Sequence, residues 1–379
     1  MLCFDINFLE VKKVAAEVFF MNFRATPTEN LLQKFERLLR KAGIENVVKK
    51  GDLTAIKIHF GEPGNLAYIR PNYVRKLVEL LKKLGTIPFL TDANTLYRGR
   101  RANAPEHIEA AIENGFAFSV VGTPIVIADG LRGRDEVEVE INLEYVKKAK
   151  IGGAAYYADS IIAMTHFKGH EATGFGGTIK NIGMGFASRA GKLEQHSTSK
   201  PRVEKDSCTG CGSCVKYCPV NAIKLVDRKA QINYEICIGC GQCIAICQFG
   251  AMVPNWDAST DLLSRKMAEY AYAVLKDKKD RALYVSFITD VSPNCDCWHV
   301  NDAPIVPNIG ILASRDPVAI DQACADLVNK APVNPYGSLD VQHTDDKFRH
   351  IHPSVDWNIQ LEHAEKIGLG SREYKLIEI

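Results

Sequence analysis

The chain has 379 residues, with 47 lysines and arginines against 45 aspartates and glutamates, for a formal net charge of +2. This balance, with no basic block and no basic stripe interleaved with aromatics, argues against a nucleic-acid partner, and no apolar run is long enough for a membrane span. Twelve cysteines and no basic-then-apolar leader at the start point to a reducing cytoplasm and no signal peptide.

In chain order, Glu17–Asn22 reads as a short apolar strand. Pro27-Thr28-Glu29 opens a helix to about Ala42, with leucines at 31, 32, 38 and 39. Thr54–Phe60 is the next strand. Pro71 suits the first position of a helix to Leu84 that Gly85 ends. Ile87–Thr91 is a strand, Pro105–Asn114 a helix stopped by Gly115, and Ile125–Ala128 a strand. Leu143–Lys150 is expected to be helical, and Ser160–Thr165 is apolar enough for a buried strand. Further on, Ala282–Ile288 and Ile309–Ala313 read as strands. Asp316-Pro317 opens a helix through Asn329, and Ile359–Ile367 is the last helix, closed by Gly368. Strands spaced by helices predict an α/β fold, a mostly parallel sheet with helices on both faces. Residues 14–200 and 255–379 are expected to form one discontinuous domain interrupted by a small α+β insert at 201–254. Two unrelated α/β domains flanking the insert are the competing arrangement.

The insert carries the strongest signal. Cys208, Cys211, Cys214 and Cys218 read Cys-x2-Cys-x2-Cys-x3-Cys-Pro, and Cys237, Cys240, Cys243 and Cys247 repeat the spacing 29 residues later. Three thiolates on a tight loop can take three irons of one cubane, and the fourth lies too far along the chain to close it, so it serves the other cluster. The expected sets are Cys208, Cys211, Cys214 and Cys247 for one [4Fe–4S] cluster, and Cys237, Cys240, Cys243 and Cys218 for the other. The segment resembles a bacterial two-cluster ferredoxin. Its tails align too, Ala222-Ile223 with Ala251-Met252, although the second run has Gln248 where the pattern has proline. Two zinc sites or a disulfide framework are the alternatives. Zinc sites usually separate two cysteine pairs by a longer spacer.

Thr165–His196 follows a buried strand, so it should lie at a strand's carboxyl end, where open α/β sheets place ligand crevices. It holds His166, Lys168, His170, Lys180, Asn181, Arg189, Lys192 and His196 among seven glycines. Glycine-dense backbone can aim N–H groups at an anion, and lysine and histidine supply charge and proton transfer. Neither a Rossmann fingerprint nor a P-loop occurs here. Lys57 and His59 share one face at a strand end, followed by the loop Gly61–Gly64. Asp92, Asn94 and Thr95 end the next strand, with Tyr97, Arg98, Arg100 and Arg101 behind them, and Asp129-Gly130 ends another. A shared crevice competes with ordinary capping by Asp, Asn and Thr. Cys295-Asp296-Cys297, between Asp290 and His299, can hold a soft or borderline metal through two thiolates and a histidine, or act in thiol redox exchange. Cys3 and Cys324 stand alone, the latter suited to core packing. Asp316 suits an N-cap.

The runs KIHFGE (57–62), TDANTLY (91–97), HFKGHEATGFGG (166–177), IKNIGMG (179–185), CDCW (295–298) and RDPVAID (315–321) resemble those of the uncharacterised iron–sulfur centre proteins, Domain of Unknown Function 362, over roughly 14–370. The resemblance implies a prokaryotic cytoplasmic protein with two [4Fe–4S] clusters, and implies no reaction. The functional expectation is therefore redox. Electrons pass through the clusters to or from a ligand in the strand-end crevice, with Lys168, His170, Lys180 and His196 as catalytic candidates. Lys57, His59, Asp92 and Asn94 are the cofactor-binding candidates, and an additional metal or small anion is an open option. The partner is a redox protein or a small-molecule substrate. The rival readings are a carrier that docks a partner enzyme, and an iron–sulfur sensor or handling protein.

Overall fold

The computed structural model describes residues 15–97, 99–196, 200–239, 241–254 and 259–379. Cys240, Arg98 and Cys3, named above, lie outside the described residues. Eight strands form one sheet: β1 (Ala16–Asn22), β2 (Leu53–Lys57), β3 (Ile87–Asp92), β4 (Ile125–Ile127), β5 (Ser160–His166), β6 (Ala282–Ile288), β7 (Gly310–Ser314) and β8 (Tyr374–Glu378). Their spatial order is β8-β1-β7-β6-β5-β2-β3-β4. From β6 through β4 every pairing is parallel. Only β7 runs antiparallel to both neighbours, and β8 returns parallel to β1. The fold is thus α/β with a mostly parallel sheet. Strands from both sides of the 201–254 segment lie in it.

Central strands β5 and β6 are buried at every residue. That is the signature of a parallel sheet covered on both faces. One face packs against helices Leu31–Lys41 and Pro71–Lys83 through Phe35, Leu38, Val74 and Leu77. The other packs against Thr260–Leu275, Pro317–Lys330 and Asn358–Lys366 through Met267, Ile320 and Leu361. The helix expected from Pro27 starts at Leu31. Asn30 caps it, and Gln33 closes a reciprocal capping box.

One expected helix is wrong. Lys148–Gly152 is a strand, paired antiparallel with Glu136–Glu140. The chain turns at Asn142, which adopts a positive φ of 52°, and Leu143 bonds back to Val146. Ala149 and Ile151 then alternate inward, a period of two that the lysines around them disguise. The glycine-rich run after β5 is also more ordered than a loop. Lys168–His170 and Gly174–Gly176 pair as a hairpin, and helices Thr178–Gly183 and Arg189–His196 follow.

Because β2, β3, β4, β5 and β6 are parallel, their carboxyl ends share one edge of the sheet. The loops after them gather there, and the cysteine-rich insert follows directly from the last helix of that edge.

Candidate functional site

The insert is built on the 29-residue repeat. Gly210 and Gly239, and Gly212 and Gly241, occupy matching places with φ of 72°, 69°, 77° and 66°. This left-handed backbone, open to glycine at no steric cost, lets each cysteine loop curl inward. Each loop ends in a short helix, Ser213–Lys216 or Gln242–Ile246. Two small cavities result. One is lined by Cys208, Cys211, Cys214 and Cys247, the other by Cys218, Cys237 and Cys243. The fourth cysteine of each run therefore faces the other run's loop. The matched alanines also have a role. The N–H of Ala222 donates to Cys218 Sγ and that of Ala251 to Cys247 Sγ, both at 3.2 Å, and Ala230 donates to Cys208 Sγ at 3.3 Å. Donors to sulfur favour thiolates and tune what they bind. Four thiolates around one cavity suit an iron–sulfur cubane, and the described members of the second set suit another.

At the strand ends, buried charges form a connected network. Lys57 Nζ lies 3.0 Å from Asp92 and donates to Asn181 at 2.8 Å. Arg101 pairs with Glu62 at 2.6 Å, meets His59 Nε2 at 2.9 Å and donates to the Tyr97 hydroxyl at 2.8 Å. Asp296 takes Lys168 at 3.1 Å and His166 at 2.9 Å. Burial pushes the Lys57 ammonium below its ordinary range despite Asp92. Burial and then Arg101 push His59 well below its own. Burial opposes ionisation of Asp92, but Lys57, His107, His59 and Arg101 outweigh it and hold that carboxyl below the usual range.

A third group sits beside this network. His170, Cys295 and Cys297 each bring one donor atom within 4.8 Å of the others. Lys180 Nζ and the Cys297 N–H reach Cys295 Sγ at 3.5 and 3.4 Å. A hydrogen bond from Cys297 holds the Cys295 thiol well below its ordinary range against its burial, with help from Lys180 and His170. The same bond, with burial, pushes Cys297 up. The trio has the composition of a metal site, and Ala172 N–H donates to His170 Nδ1 at 3.1 Å. That occupies Nδ1 and leaves Nε2 as the ring atom available to the sulfurs or to an ion between them.

The insert sits over this edge. Buried Arg189 reaches Gln242 of the second cysteine loop at 3.5 Å, while also donating to the carbonyls of Thr95, Arg132 and Ala102. Leu96 and Leu193 pack with the insert's core. Between the two parts lies a cavity of about 1080 Å³. Glu62, Tyr97, Arg100, Arg132 and Arg189 line it from the body, Tyr217, Gln242, Cys247 and Phe249 from the insert, and Cys297, Trp298 and His299 from the loop after β6.

Of the residues singled out in the sequence, Lys57, His59, Asp92, Lys168, His170 and Lys180 come together at this edge. His196, at the end of its helix, has burial as the main cause pushing its ring down to about 3, with His170 and Lys180 as further causes. Asn94 turns away from the cavity. It donates to Asp129 and to the Gly130 carbonyl, both at 2.8 Å, and ties two strand ends together. His299 lines the cavity, while His170 takes the place beside the sulfurs. Sequence reasoning placed Tyr97, Arg101 and the loop holding Glu62 at the strand ends but missed that the three pair with one another, and it missed Arg132. Arg100 and Arg101 are adjacent and look alike in sequence, yet Arg100 pairs with surface Glu113 and Arg101 is fully buried.

Together the fold and the site define an α/β protein with a thiol-rich insert docked on a charged strand-end crevice. The chain belongs to the family described as Domain of unknown function (DUF362), whose model matches residues 54–326. Over 38 residues it is 50% identical to the Ferredoxin-type protein NapF of Haemophilus influenzae, covering 10% of this chain and 22% of that protein. The chain thus spans under a quarter of that relative's length. Two solved structures resemble the fold distantly. The lactate racemase apoprotein from Thermoanaerobacterium thermosaccharolyticum has a TM-score of 0.35 and 15% identity, over 72% of this chain and 51% of that one. A Thermotoga maritima protein from a structural genomics programme has a TM-score of 0.45 and 10% identity, over 82% and 61%. Among the described residues, no helix is long and apolar enough to cross a membrane.

Proposed function

We propose that this chain is an iron–sulfur electron-transfer protein. Cys208, Cys211, Cys214 and Cys247 would hold one [4Fe–4S] cluster, and Cys237, Cys240, Cys243 and Cys218 a second. Electrons pass to or from a ligand in the cavity between insert and body. The observation that carries this reading is that Cys247 of the first thiol set and Cys297 of the crevice line the same cavity. When bound, the clusters supply one-electron transfer. The chain's own residues do the rest. Arg132 gives the cavity wall positive charge suited to an anionic or carbonyl-bearing ligand, and the insert covers one side and limits water. His170, Lys168 and Lys180 stand behind the wall as proton and charge donors.

A protein partner at the other end of the relay is favoured by a separate feature. Tyr234, Ile236 and Ile238, beside the second cysteine run, are about half exposed. Exposed apolar groups near a redox centre suit a transient docking face. In this reading a redox partner delivers electrons at the second set, and they leave at the first.

Anaerobic metal analysis tests the proposal. The expected content is about eight irons and eight acid-labile sulfides per chain. Iron near four, or zinc in its place, sinks the two-cluster reading. Cys247→Ala should remove the cluster served by the first run, because the fourth thiol crosses between loops.

A further inference from the structure

We infer that Cys295 and Cys297 are a redox-active dithiol, a two-electron store between the one-electron clusters and the cavity. The inference rests on the electron-transfer reading above and adds a component to it. The two sulfurs lie within 4.8 Å of each other on a Cys-Asp-Cys turn whose Trp298 N–H donates to the Cys295 carbonyl at 3.2 Å. Neither is in a disulfide in this structure. Three donors converge on one of them. Lys180 Nζ and the Cys297 N–H reach Cys295 Sγ, and His170 brings a ring nitrogen within 4.8 Å of it. Such a setting stabilises a thiolate and makes it the better leaving sulfur in thiol–disulfide chemistry.

The two cysteines differ in access. Cys295 is buried among these donors, at 1% exposure. Cys297 lines the cavity that Cys247 also lines. The segment is firmly held: Asp296 is pinned by His166 and Lys168, and the Cys297 carbonyl accepts from Tyr97 at 3.2 Å.

The balance is simple. Reduction breaks the Cys295–Cys297 sulfur–sulfur bond with two electrons and one proton. Cys295 is left as thiolate and Cys297 as thiol, and His170 or Lys180 is placed to relay the proton. The electrons come from reduced iron–sulfur clusters, one from each. Re-oxidation re-forms that bond by exchange with a small anionic disulfide in the cavity, whose own sulfur–sulfur bond breaks and whose two halves leave as one thiol, carrying the proton, and one thiolate. Two one-electron centres beside one two-electron couple match in count.

The full chain carries its own reporter. Cleavage after Arg281 and Arg315 frees a peptide of residues 282–315 whose only cysteines are 295 and 297. Anaerobic protein is poised at a series of potentials, quenched and denatured in N-ethylmaleimide, digested and weighed. Under oxidising poise the peptide should carry no alkyl group and be two hydrogens lighter. Under reducing poise it should carry two, and the transition should follow a two-electron slope. Peptide doubly alkylated at every potential overturns the inference. Iron analysis of the same sample reports separately on the clusters, so a cluster-free protein whose peptide still cycles sinks only the electron-transfer reading. Dithionite titration gives an independent count: about four electron equivalents for the wild type and about two for Cys295→Ser/Cys297→Ser with its iron intact. About two for both overturns the inference. So does one zinc per chain that the double variant loses, which would make the trio a metal site.

Discussion

Asp321 shows how one buried carboxyl shapes the crevice from a distance. It lies inside helix Pro317–Lys330, and its oxygens accept from the N–H groups of Thr178 at 2.6 Å and Ile179 at 2.9 Å. It thereby seats the helix that carries Lys180 and Asn181. Burial is the dominant influence and raises its pKa to about 7, against the pull of those two N–H groups. The unfolded chain releases this proton near the ordinary carboxyl range and the folded chain keeps it longer. The folded state thus binds more protons between about pH 4 and 7. Its contribution is fully present below that window and is lost as pH rises through it, on the order of 4 kcal/mol in total. Denaturant unfolding of wild type and Asp321→Asn between pH 5 and 8 should show this slope in the wild type alone. Parallel pH profiles would mean that the carboxyl is ionised throughout.

At the scale of elements, the same helix depends on its first residue. Asp316 Oδ1 accepts from Val318 and Ala319 at 2.9 Å, and Oδ2 accepts from Ser371 at 2.9 Å in the segment leading to β8. Asp316→Ala should therefore cost about 1–2 kcal/mol, at the upper end for a cap, seen as a lower melting temperature with unchanged iron content. Loss of iron alongside would show that the cap also supports the docked insert. This cap was legible in the sequence because Asp-Pro is a local signal, as was the cysteine repeat, whose spacing alone puts matching thiols on matching loops. Most of β1 to β7 were legible too, since strand and helix periods are written along the chain. What escaped was set by distant partners. Nothing near β7 marks it as antiparallel, and β8 exists because β1 offers it an edge. The strand at Lys148–Gly152 needed Glu136–Glu140 to reveal it. At the site, the strand-end position of Lys57, Asp92 and Lys168 could be read from order alone. The choice of His170 over His299, and the burial of Arg101 against the exposure of Arg100, depend on how the loops fold over one another.

At the scale of the whole molecule, the insert's ends matter most. Pro201–Val203 and Met252–Pro254 pair antiparallel, with Pro201 opposite Pro254. The chain therefore leaves and re-enters the body at nearly the same place. All eight strands of the main sheet lie outside 201–254, five before it and three after it. β5 and β6, which flank the insert in sequence, are direct neighbours. We propose that residues 14–200 and 255–379 form one discontinuous folding unit and that 201–254 is a module set into it. Replacing 201–254 by a short glycine–serine linker closes a short gap, and loop closure of that length costs little. The shortened chain should keep its far-UV circular dichroism and unfold in one cooperative transition while binding no iron. It should be less stable than the parent, because Leu96, Leu193 and Arg189 lose the surface they pack against. Two separate transitions, or limited proteolysis that releases the two flanks as independently folded pieces, would refute the single unit.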